Sequence, residues 1–595
     1  MAPRDERSLT EVTRGDDTTD SGLVDEKPLQ NHSEDQNQVQ ASLSSESHRQ
    51  ENLDLEAQEV SHLYCMMHSS FPQLSVTKND ISVNRVQTRD TIQTRHTHRS
   101  VLSRLSRKRS KPKNALAEIP ILPLTDLDAG IVGWESQDDP EMPLNFTTFR
   151  KWSAVSLLSI ITFMTPFASS ILAPAITFVA EDYGIEDLTI ASMPVSIFLL
   201  GYAVGPLMLS PLSEIYGRNG ILTVASAWFC VWMIACALAP DIGTLVFFRF
   251  MCGVGGSASI TIGGAIIADM FPISQRGAAI TLWMLGPILG PTIAPVTGGY
   301  VSESIGWRWT AWLTFIPATI VLGLMIFLNR ETSHHVLIKR KTAKLRKELG
   351  RPELRSCYID PNAPVVPHRQ VLMIGLLRPL KMLFRSAIVF SVSLYIAFAY
   401  GCLYLLFNTI PFVFQSSYGW TIGNTGLVYL AMLVGYAIGL ASFSLMSDKT
   451  VVRMTEANGG VYEPEFRLPN VMYFAPMLPI TFFWYGWSAD KAVHWIVPII
   501  GIVPFGFSIV GVWMPIQAYL VDAFPQYAAS ALAAFAVLRS TVAAFLPLAG
   551  PKMYDSLGVG WGTSLLGFIA IALIPIPTLI YKYGKWMREK YPVSF

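Results

Sequence analysis

Long apolar runs divide the chain into two unlike parts. Residues 1 to about 148 hold hardly any apolar run, whereas most of the remainder consists of stretches of about 20 mostly apolar residues. A helix needs about that many apolar residues to cross the hydrocarbon core of a bilayer. Twelve stretches therefore predict spanning helices, at residues 152–174, 190–210, 221–239, 244–268, 278–300, 310–328, 386–407, 424–446, 469–487, 494–519, 527–549 and 562–581.

A hydrophilic stretch at 330–385 separates the sixth run from the seventh. The pattern therefore predicts an all-α membrane protein with twelve transmembrane helices in two six-helix halves. The polar segment before the first run cannot bury enough apolar surface to offset the entropy cost of folding. We expect a disordered N-terminal tail at 1–148, a first half at 149–329, a central loop at 330–385, a second half at 386–582 and a C-terminal tail at 583–595.

Two segments of the apolar part repeat each other. Gly-Tyr-Ala-Val-Gly occupies 201–205 and Gly-Tyr-Ala-Ile-Gly occupies 435–439, and an acid follows each after nine residues, Glu214 and Asp448. Two similar halves in a protein with many spans are typical of secondary transporters, which bind cargo between the halves near the bilayer midplane. The repeat therefore predicts a transporter. A second pair of copies reads Asp-x-Phe-Pro, at 269–272 and 522–525.

Basic side chains collect in three regions of the sequence. They precede the first span at 104–113 and 150–151, occupy the central loop between 339 and 355, and follow the last span at 582–590. An even number of spans places these regions on one side of the membrane, and Lys and Arg favour the cytoplasmic ends of spans. We therefore expect both termini in the cytoplasm.

The remaining composition narrows the class of protein. Only 15% of the residues are charged and the net charge is +1, carried in tails and loops, so nothing indicates a nucleic-acid partner. The six cysteines lack the spacing of metal ligands, and we expect no disulfide framework, no metal and no other cofactor. The first residues lack the apolar segment of a cleavable signal peptide, so we expect the first span to direct insertion.

The loop after the second span carries a recognisable motif. It reads Ser-Pro-Leu-Ser-Glu-Ile-Tyr-Gly-Arg-Asn at 210–219 and resembles the signature of the major facilitator superfamily, in which a glycine, an acid and a Gly-Arg pair occupy set places. Here Ser210 stands in the glycine place, Glu214 replaces the aspartate, and Ile215 and Asn219 replace basic residues. The variant resembles that of fungal drug:proton antiporters with twelve spans. The resemblance covers 132–590 and implies the superfamily fold of two pseudo-symmetric halves.

The acids of the repeats are candidates for gating or proton coupling. A carboxylate at a helix end can pair with an arginine across a short turn or cap the start of a neighbouring helix. We expect Glu214 and Arg218 to form such a clip at the cytoplasmic face and to hold one half against the other, with Asp448 as the second copy. An ordinary charged turn is the alternative. Asp269 and Asp522, at the inner ends of the fourth and tenth spans, are expected to act as structural clips rather than proton carriers.

The fourth span contains Arg249, with glycines at 253, 255 and 256. An arginine inside a span costs about 2.5–3.5 kcal/mol on insertion scales, so it needs a partner or a role. In the superfamily an arginine at this place is linked to proton coupling, and the spacing Arg-x-x-x-Gly supports the same role here. The alternative is a side chain that extends to the nearby outer surface.

The fifth span is rich in proline and glycine between 286 and 299. Prolines at four-residue spacing remove backbone donors along one face, and glycines leave a groove for close packing of another helix. The segment resembles the antiporter signature of the superfamily, with Ala294 in a glycine place, and this resemblance implies export. The residues that carry it are Gly286, Pro287, Gly290, Pro291, Pro295, Gly298 and Gly299.

Arg539 lies deep in the eleventh span, near the bilayer midplane. Two roles are open for it: contact with an acidic substrate or a coupling group, or a strut that donates to backbone carbonyls. Other polar and aromatic residues at suitable depth are candidates for lining the cargo cavity, with helix packing as the alternative for each. They are Ser169, Ser170, Trp283, Tyr395, Tyr404, Asn408, Trp513 and Gln517.

None of the predicted spans contains Asp or Glu away from its ends, which disfavours cationic cargo. We expect a proton-driven exporter of small lipophilic compounds, such as drugs, toxins or a fungal secondary metabolite, and not an enzyme. An exporter of polyamines or another specific metabolite is the alternative, and a transporter-like nutrient sensor is a third. We expect a monomer in the plasma membrane, with the vacuolar membrane as the alternative. Its expected partners are the lipid bilayer, a small-molecule substrate and protons.

Overall fold

The computed structural model describes residues 123–359 and 367–591, which fold into helices and one two-stranded sheet. The first half contains α1 (Thr148–Ser170), α2 (Ile176–Tyr183), α3 (Leu188–Tyr216), α4 (Arg218–Ala237), α5 (Ile242–Met270), α6 (Ile273–Ile305) and α7 (Trp309–Leu328). The central loop contains α8 (His334–Leu349) and α9 (His368–Arg385). The second half contains α10 (Ala387–Tyr418), α11 (Ile422–Gly426), α12 (Tyr429–Ala457), α13 (Leu468–Phe474), α14 (Met477–Asp490), α15 (Ile496–Ala523), α16 (Ala528–Phe545), α17 (Gly550–Leu573) and α18 (Pro575–Lys590).

All twelve predicted spans fall on these helices, although only ten stretches of the described residues are long and apolar enough to cross a membrane as single units. The ninth predicted span is divided between α13 and α14, and the 14 residues of α14 are too few by themselves. The eleventh and twelfth form one stretch of 63 residues, Ala528–Lys590. Its helix is interrupted at Gly558, where φ is 74° and ψ is 168°. The two-half architecture is therefore confirmed with shifted boundaries.

Polar caps and glycines set several helix ends beyond the apolar runs that predicted them. The Asp241 side chain begins α5 by accepting a hydrogen bond from the backbone N–H of Thr244 at 2.9 Å. Gly217 ends α3 and Gly419 ends α10, with φ values of 112° and 65° that favour glycine. Helix length is thus decided by the capping residues as well as by hydropathy.

The repeated Gly-Tyr-Ala-x-Gly segments make the same packing contact in each half. A Cβ atom on Gly201 of α3 would lie 2.5 Å from the carbonyl oxygen of Phe250 in α5. A Cβ atom on Gly435 of α12 would overlap the carbonyl oxygen of Val503 in α15. Only glycine lets the two backbones approach this closely. The internal repeat of the sequence therefore corresponds to a repeated helix crossing.

The first span is broken inside the bundle. Helix α1 ends at Ser170, and a 3-10 turn at Ala173–Ala175 leads into α2. Pro174 has no N–H to donate to the carbonyl four residues earlier, that of Ser170. The last carbonyls of α1 therefore need donors from elsewhere in the protein.

Glycines of α6 allow it to pack directly against the backbone of α1. Cβ atoms on Gly286 and Gly290 would lie 2.8 and 2.7 Å from backbone atoms of Phe163, and one on Gly298 would overlap the carbonyl oxygen of Ile171. Gly299 instead faces α11 of the second half, where a Cβ would lie 2.9 Å from the carbonyl oxygen of Ile422. The proline- and glycine-rich helix therefore contacts both halves.

Residues 123–147 correct the expectation of a disordered tail at 1–148. Strand β1 (Ile131–Val132) pairs in parallel with β2 (Arg355–Ser356) of the central loop. Trp134 is 1% exposed, packs with Met142 and Ile338, and donates from its indole N–H to the hydroxyl of Tyr358 at 3.2 Å. These apolar side chains form a small core against α8, which offsets the cost of ordering the segment. Residues 1–122 of the predicted tail lie outside the described residues.

Helical structure also continues into the predicted C-terminal tail at 583–595. Helix α18 extends to Lys590, and Lys585 pairs with Glu463 at 2.7 Å. Arg588 binds both carboxylate oxygens of Glu465, at 3.0 and 2.9 Å. Bidentate pairing of this kind fixes geometry as well as charge, so it holds the end of α18 against the segment before α13. Residues 592–595 lie outside the described part of the chain.

Replacing Gly298 with alanine should destabilise the contact between α6 and α1. The added methyl group overlaps the carbonyl oxygen of Ile171, whereas alanine at Gly323 of α7 meets no atom within 4 Å. We expect Gly298→Ala to lower the midpoint of thermal unfolding in detergent by several degrees. Gly323→Ala should leave it unchanged or raise it, because alanine favours helix by about 1 kcal/mol. Equal midpoints for the two variants would contradict this packing.

Candidate functional site

Contacts between the two halves locate the candidate site. We call the side of the bundle that carries residues 123–147 and the central loop the loop face, and the other side the opposite face. At the opposite face the Glu303 carboxylate of α6 accepts from the backbone N–H of Gly423 at 2.7 Å. The Tyr300 hydroxyl donates to the side-chain oxygen of Asn424 at 3.0 Å. These bonds join the end of α6 to the start of α11, so this end of the bundle is held closed by two hydrogen bonds and close backbone packing.

Glu303 was not predicted because the sequence placed the end of the fifth span at residue 300. Helix α6 continues to Ile305, which carries Glu303 one turn further and over α11. Predicting this contact requires the true end of the helix, because a glutamate just after an apolar run is by itself typical of an exposed loop.

Near the middle of the bundle a hydrogen bond between two buried hydroxyls joins the halves. The hydroxyls of Ser169 in α1 and Tyr404 in α10 are 2.8 Å apart, and the exposed fraction of both side chains is 0%. The Ser169 hydroxyl also donates to the carbonyl of Pro166 at 2.6 Å, so the Tyr404 hydroxyl is the donor between the two. Two predicted cavity residues thus meet between the first and second halves.

An aromatic cluster extends from Tyr404 into the second half. The ring of Tyr400 lies 5.3 Å from that of Tyr404 and 5.6 Å from that of Trp513, measured between centroids. The Trp513 indole N–H donates to the side-chain oxygen of Gln517 at 3.0 Å. The guanidinium of Arg539 lies over the Tyr400 ring at 4.6 Å and over the Trp513 ring at 4.4 Å. We call these five residues the aromatic cluster.

Four members of the aromatic cluster were predicted from the sequence, and Tyr400 was missed. It precedes Tyr404 by one helical turn, so the two rings lie on the same face of α10. That spacing was the available signal. The aromatic cluster therefore brings together most of the predicted cavity residues of the second half.

Arg249 is buried rather than extended to the outer surface. It is 3% exposed, and its guanidinium donates to three backbone carbonyls: Ala168 at 2.8 Å, Ser169 at 3.1 Å and Pro194 at 3.1 Å. The first two are the carbonyls that the broken end of α1 leaves without helical donors, and a cation is favourable at a helix C-terminus. The alternative of a snorkelling side chain is therefore wrong. Arg249 therefore binds the carbonyl of Ser169, and the hydroxyl of the same serine forms the hydrogen bond to Tyr404 of the second half.

Other predicted residues serve helix packing. The Ser170 hydroxyl donates at 3.0 Å to the carbonyl of Pro291, which Pro295 deprives of its helical donor. The Trp283 indole N–H donates to the hydroxyl of Thr162 at 3.1 Å, inside the first half. Tyr395 is fully buried, and its hydroxyl has no hydrogen-bond partner among the described residues. These three predicted cavity residues lie outside the aromatic cluster.

Asn408 lines a separate cleft near the opposite face. The cleft has a volume of about 40 Å³ and lies between α2 and α3 of the first half and α10 and α17 of the second. Both polar atoms of the Asn408 side chain are buried without a partner among the described residues, as is the Gln415 side-chain nitrogen. Asp555 also lines it. The sequence placed Asp555 in a connection between spans, whereas α17 carries it into the interface.

The predicted Glu214–Arg218 clip exists, but its geometry differs from the expectation. The Arg218 guanidinium donates to the Ser213 hydroxyl at 2.9 Å and lies 3.7 Å from the Asp269 carboxylate and 4.0 Å from that of Glu214. All three partners belong to the first half. The charge of Arg378, on α9 of the central loop, also acts on Glu214.

Glu331 of the central loop provides the helix cap that the sequence assigned to Glu214. One of its carboxylate oxygens accepts from the backbone N–H groups of Arg218 at 2.7 Å, Ser333 at 2.9 Å and Thr332 at 3.0 Å. A negative charge at the start of α4 is favoured by the exposed N–H groups there. Glu331 therefore attaches the central loop to the first half. A local motif cannot predict this contact, because the two residues are 113 positions apart in the sequence.

The corresponding acids of the second half, Asp522 and Asp448, differ in their contacts. Asp522 accepts from the Tyr462 hydroxyl at 2.5 Å and from the guanidinium of Arg467 at 3.0 Å. Burial and the hydrogen bond to Asp522 raise the pKa of Tyr462 to about 12, so this hydroxyl remains a donor. Asp448 is exposed and makes no hydrogen bond or ion pair within 123–359 and 367–591. The clip of the first half thus has no counterpart at Asp448.

Metal binding finds no support in the described part of the chain. It contains no group of three or more His, Cys, Asp or Glu side chains that could hold a metal ion. The chemistry available at the site is therefore hydrogen bonding, aromatic packing and the charge of two buried arginines.

Known proteins resemble this chain over most of its length. The family described as Major Facilitator Superfamily matches residues 158–547. The MFS transporter cpaT of Aspergillus oryzae is 45% identical over 465 residues, which cover 78% of this chain and 93% of the relative. The efflux pump radE of Floropilus chiversii is 39% identical over 542 residues, which cover 91% of this chain and 96% of the relative.

A solved structure shows the same fold at low identity. The xylose transporter XylE from E. coli, in an inward-open conformation, superposes with a TM-score of 0.52 at 16% identity and covers 73% of this chain and 96% of its own. At this identity the likeness concerns the fold alone. The resemblance seen in the loop at 210–219 is confirmed by the family match and by the fungal relatives, which are transporters and not enzymes. The chain is a multi-pass membrane protein that belongs to the major facilitator superfamily.

Proposed function

We propose that the protein exports small lipophilic compounds by alternating access, driven by protons, with the aromatic cluster as its cargo site. The observation that carries this proposal is the position of the aromatic cluster, which lies where Tyr404 of the second half bonds to Ser169 of the first. Aromatic walls with few hydrogen-bonding groups suit apolar cargo of varied shape. The name of radE, an efflux pump, supports the direction of transport.

The bonds at the opposite face are the contacts that alternating access must break. Glu303 and Tyr300 hold α6 to the start of α11, and both bonds end on groups of the other half. Release of cargo on that side requires the halves to separate there. We infer that the loop face is cytoplasmic, because the basic residues that flank the spans lie on that side.

The charge at the site favours this cargo over polyamines. Arg539 is the charged member of the aromatic cluster, and a buried cation repels a polycationic substrate. A polyamine exporter would need a carboxylate there, and no carboxylate forms an ion pair with Arg539 in the part of the chain that the structure describes.

Efflux in yeast lacking its own drug pumps tests the proposal. Cells are loaded with a neutral lipophilic dye and expressed protein is measured at the membrane. We expect faster efflux than in empty cells, and we expect a protonophore to abolish the difference, because the proton gradient drives transport. Efflux that persists at full rate with the gradient collapsed would contradict proton coupling, and no efflux of any compound in a broad toxin panel would contradict export.

Replacing Arg249 with lysine should slow this efflux. Lysine keeps the charge but cannot donate to three carbonyls in the arrangement of a guanidinium, so the end of α1 and Ser169 lose their fixed position. We expect Arg249→Lys to reduce the initial efflux rate at least tenfold at equal membrane expression. Arg308→Lys, at an exposed position of the opposite face, is the matched control and should retain the wild-type rate. A fully active Arg249→Lys protein would refute the role of this residue.

Asp555 is the acid that we propose for proton exchange at the opposite face. It lines the cleft with Asn408 and Gln415, which have buried polar atoms without partners among the described residues. Water in the cleft would satisfy these atoms and connect the carboxylate towards Tyr404, one turn from Asn408. Asp555→Asn should therefore weaken the dependence of efflux rate on external pH. Asp241→Asn, at an exposed cap of the same face, should not, and identical pH profiles for both variants would exclude Asp555.

A further inference from the structure

The two buried arginines of the spans are held in different ways. Arg249 uses its N–H groups to bind three backbone carbonyls, which identifies it as a strut at the end of α1. Arg539 is 7% exposed, and its Nε atom has no hydrogen-bond partner among the described residues. Its neighbours are the rings of Tyr400, Trp513 and Phe535, at 4.6, 4.4 and 5.7 Å. The strut role that the sequence left open for Arg539 is therefore absent from this arrangement.

Aromatic rings compensate only part of the cost of this charge. Each contact between a cation and a ring face gains little free energy. An arginine near the middle of a span is costly and is ordinarily paired with an opposite charge or with backbone carbonyls. Since no carboxylate pairs with Arg539 within residues 123–359 and 367–591, the protein retains a buried positive charge that a bound anion would neutralise.

The geometry also indicates the shape of that anion. Aromatic contacts occupy the flat face of a guanidinium, whereas its N–H groups point outward in the plane of the group. A planar carboxylate can accept two of these N–H groups at once. Tyr202 of the first half places a second hydroxyl at this site: it is 4% exposed, and its hydroxyl interacts with the side chain of Thr165 and with the charge of Arg539.

We propose that Arg539 and Tyr202 bind the carboxylate of an acidic lipophilic cargo, with Tyr400 and Trp513 packing against its apolar part. The proposal rests on the proposed function and names the substrate class of the same site. The anion joins Arg539 of the second half to Tyr202 of the first, so cargo of this class bridges the two halves. Related neutral compounds lack this bridge and bind through the rings alone.

Binding by the purified protein in detergent micelles tests the proposal with matched probes. The probes are 2-naphthoic acid, which is ionised at pH 7.5, and the isosteric neutral 2-naphthamide, each titrated while the midpoint of thermal unfolding is recorded. A charge-assisted bidentate contact corresponds to about 10- to 100-fold in affinity. We therefore expect the acid to bind the unaltered protein at least tenfold more tightly than the amide. Equal affinities, or tighter binding of the amide, would overturn the proposal.

Two variants assign the preference to Arg539. Arg539→Gln should reduce the ratio of acid to amide affinity to about one. Arg539→Lys should retain part of this ratio, because lysine keeps the charge but lacks the paired N–H groups of a guanidinium. Arg308→Gln, which removes an exposed arginine of the opposite face, should behave like the unaltered protein. An Arg539→Gln protein that still prefers the acid would refute the assignment. If this variant does not fold, the same test with Tyr202→Phe decides, since a loss of acid preference alone is expected there.

Efflux measurements separate failure of this inference from failure of the proposed function. Relative to its own export of the neutral dye, Arg539→Gln should lose export of 2-naphthoate by about tenfold or more, whereas Arg308→Gln should keep the ratio of the unaltered protein. Export of neither compound by the unaltered protein, together with tight binding of the acid in micelles, would contradict the proposed function and leave the anion site standing. Export of both compounds at equal rates by protein and variant would contradict the anion site alone.

Discussion

The requirement that every backbone polar group inside a bilayer find a partner within the protein shapes the centre of this bundle. Helix α1 ends at Ser170, and the carbonyls of its last turn need donors from outside the helix. Arg249 supplies donors for two of them. The same rule explains why the Ser170 hydroxyl binds the carbonyl of Pro291. Broken helices are tolerated here because side chains replace the missing backbone donors.

This repair places a charged group next to the contact between the halves. Arg249 holds the carbonyl of Ser169, and the hydroxyl of the same serine accepts from Tyr404. Separation of the halves at this level therefore changes the surroundings of the arginine without any direct contact between Arg249 and the second half. On this basis we propose that Ser169 couples a local event at Arg249 to movement between the halves.

The length and spacing of apolar runs were sufficient to predict the two halves, because spans must match the bilayer whatever their tertiary contacts. The same reasoning missed Glu303 and Asp555, since helices overran the apolar runs and carried both acids into the interface. Glu331 was missed because its partner Arg218 is distant in sequence. The ordered structure of residues 123–147 was missed because the composition of 1–148 was assessed as a whole. The few apolar side chains around Trp134 lie at the end of this long polar segment and hardly change its composition.

A transporter with a hydrophobic site still needs a means of choosing among hydrophobic compounds, because removal of one methylene changes binding by only about 0.8 kcal/mol. A charge in a low-dielectric site discriminates more strongly, since an unpaired buried charge and a paired one differ by several kcal/mol. The aromatic cluster contains one such charge and no matching carboxylate among the described residues. If the aromatic cluster binds cargo as proposed, discrimination by charge comes from Arg539, and the surrounding rings accept apolar groups of varied shape.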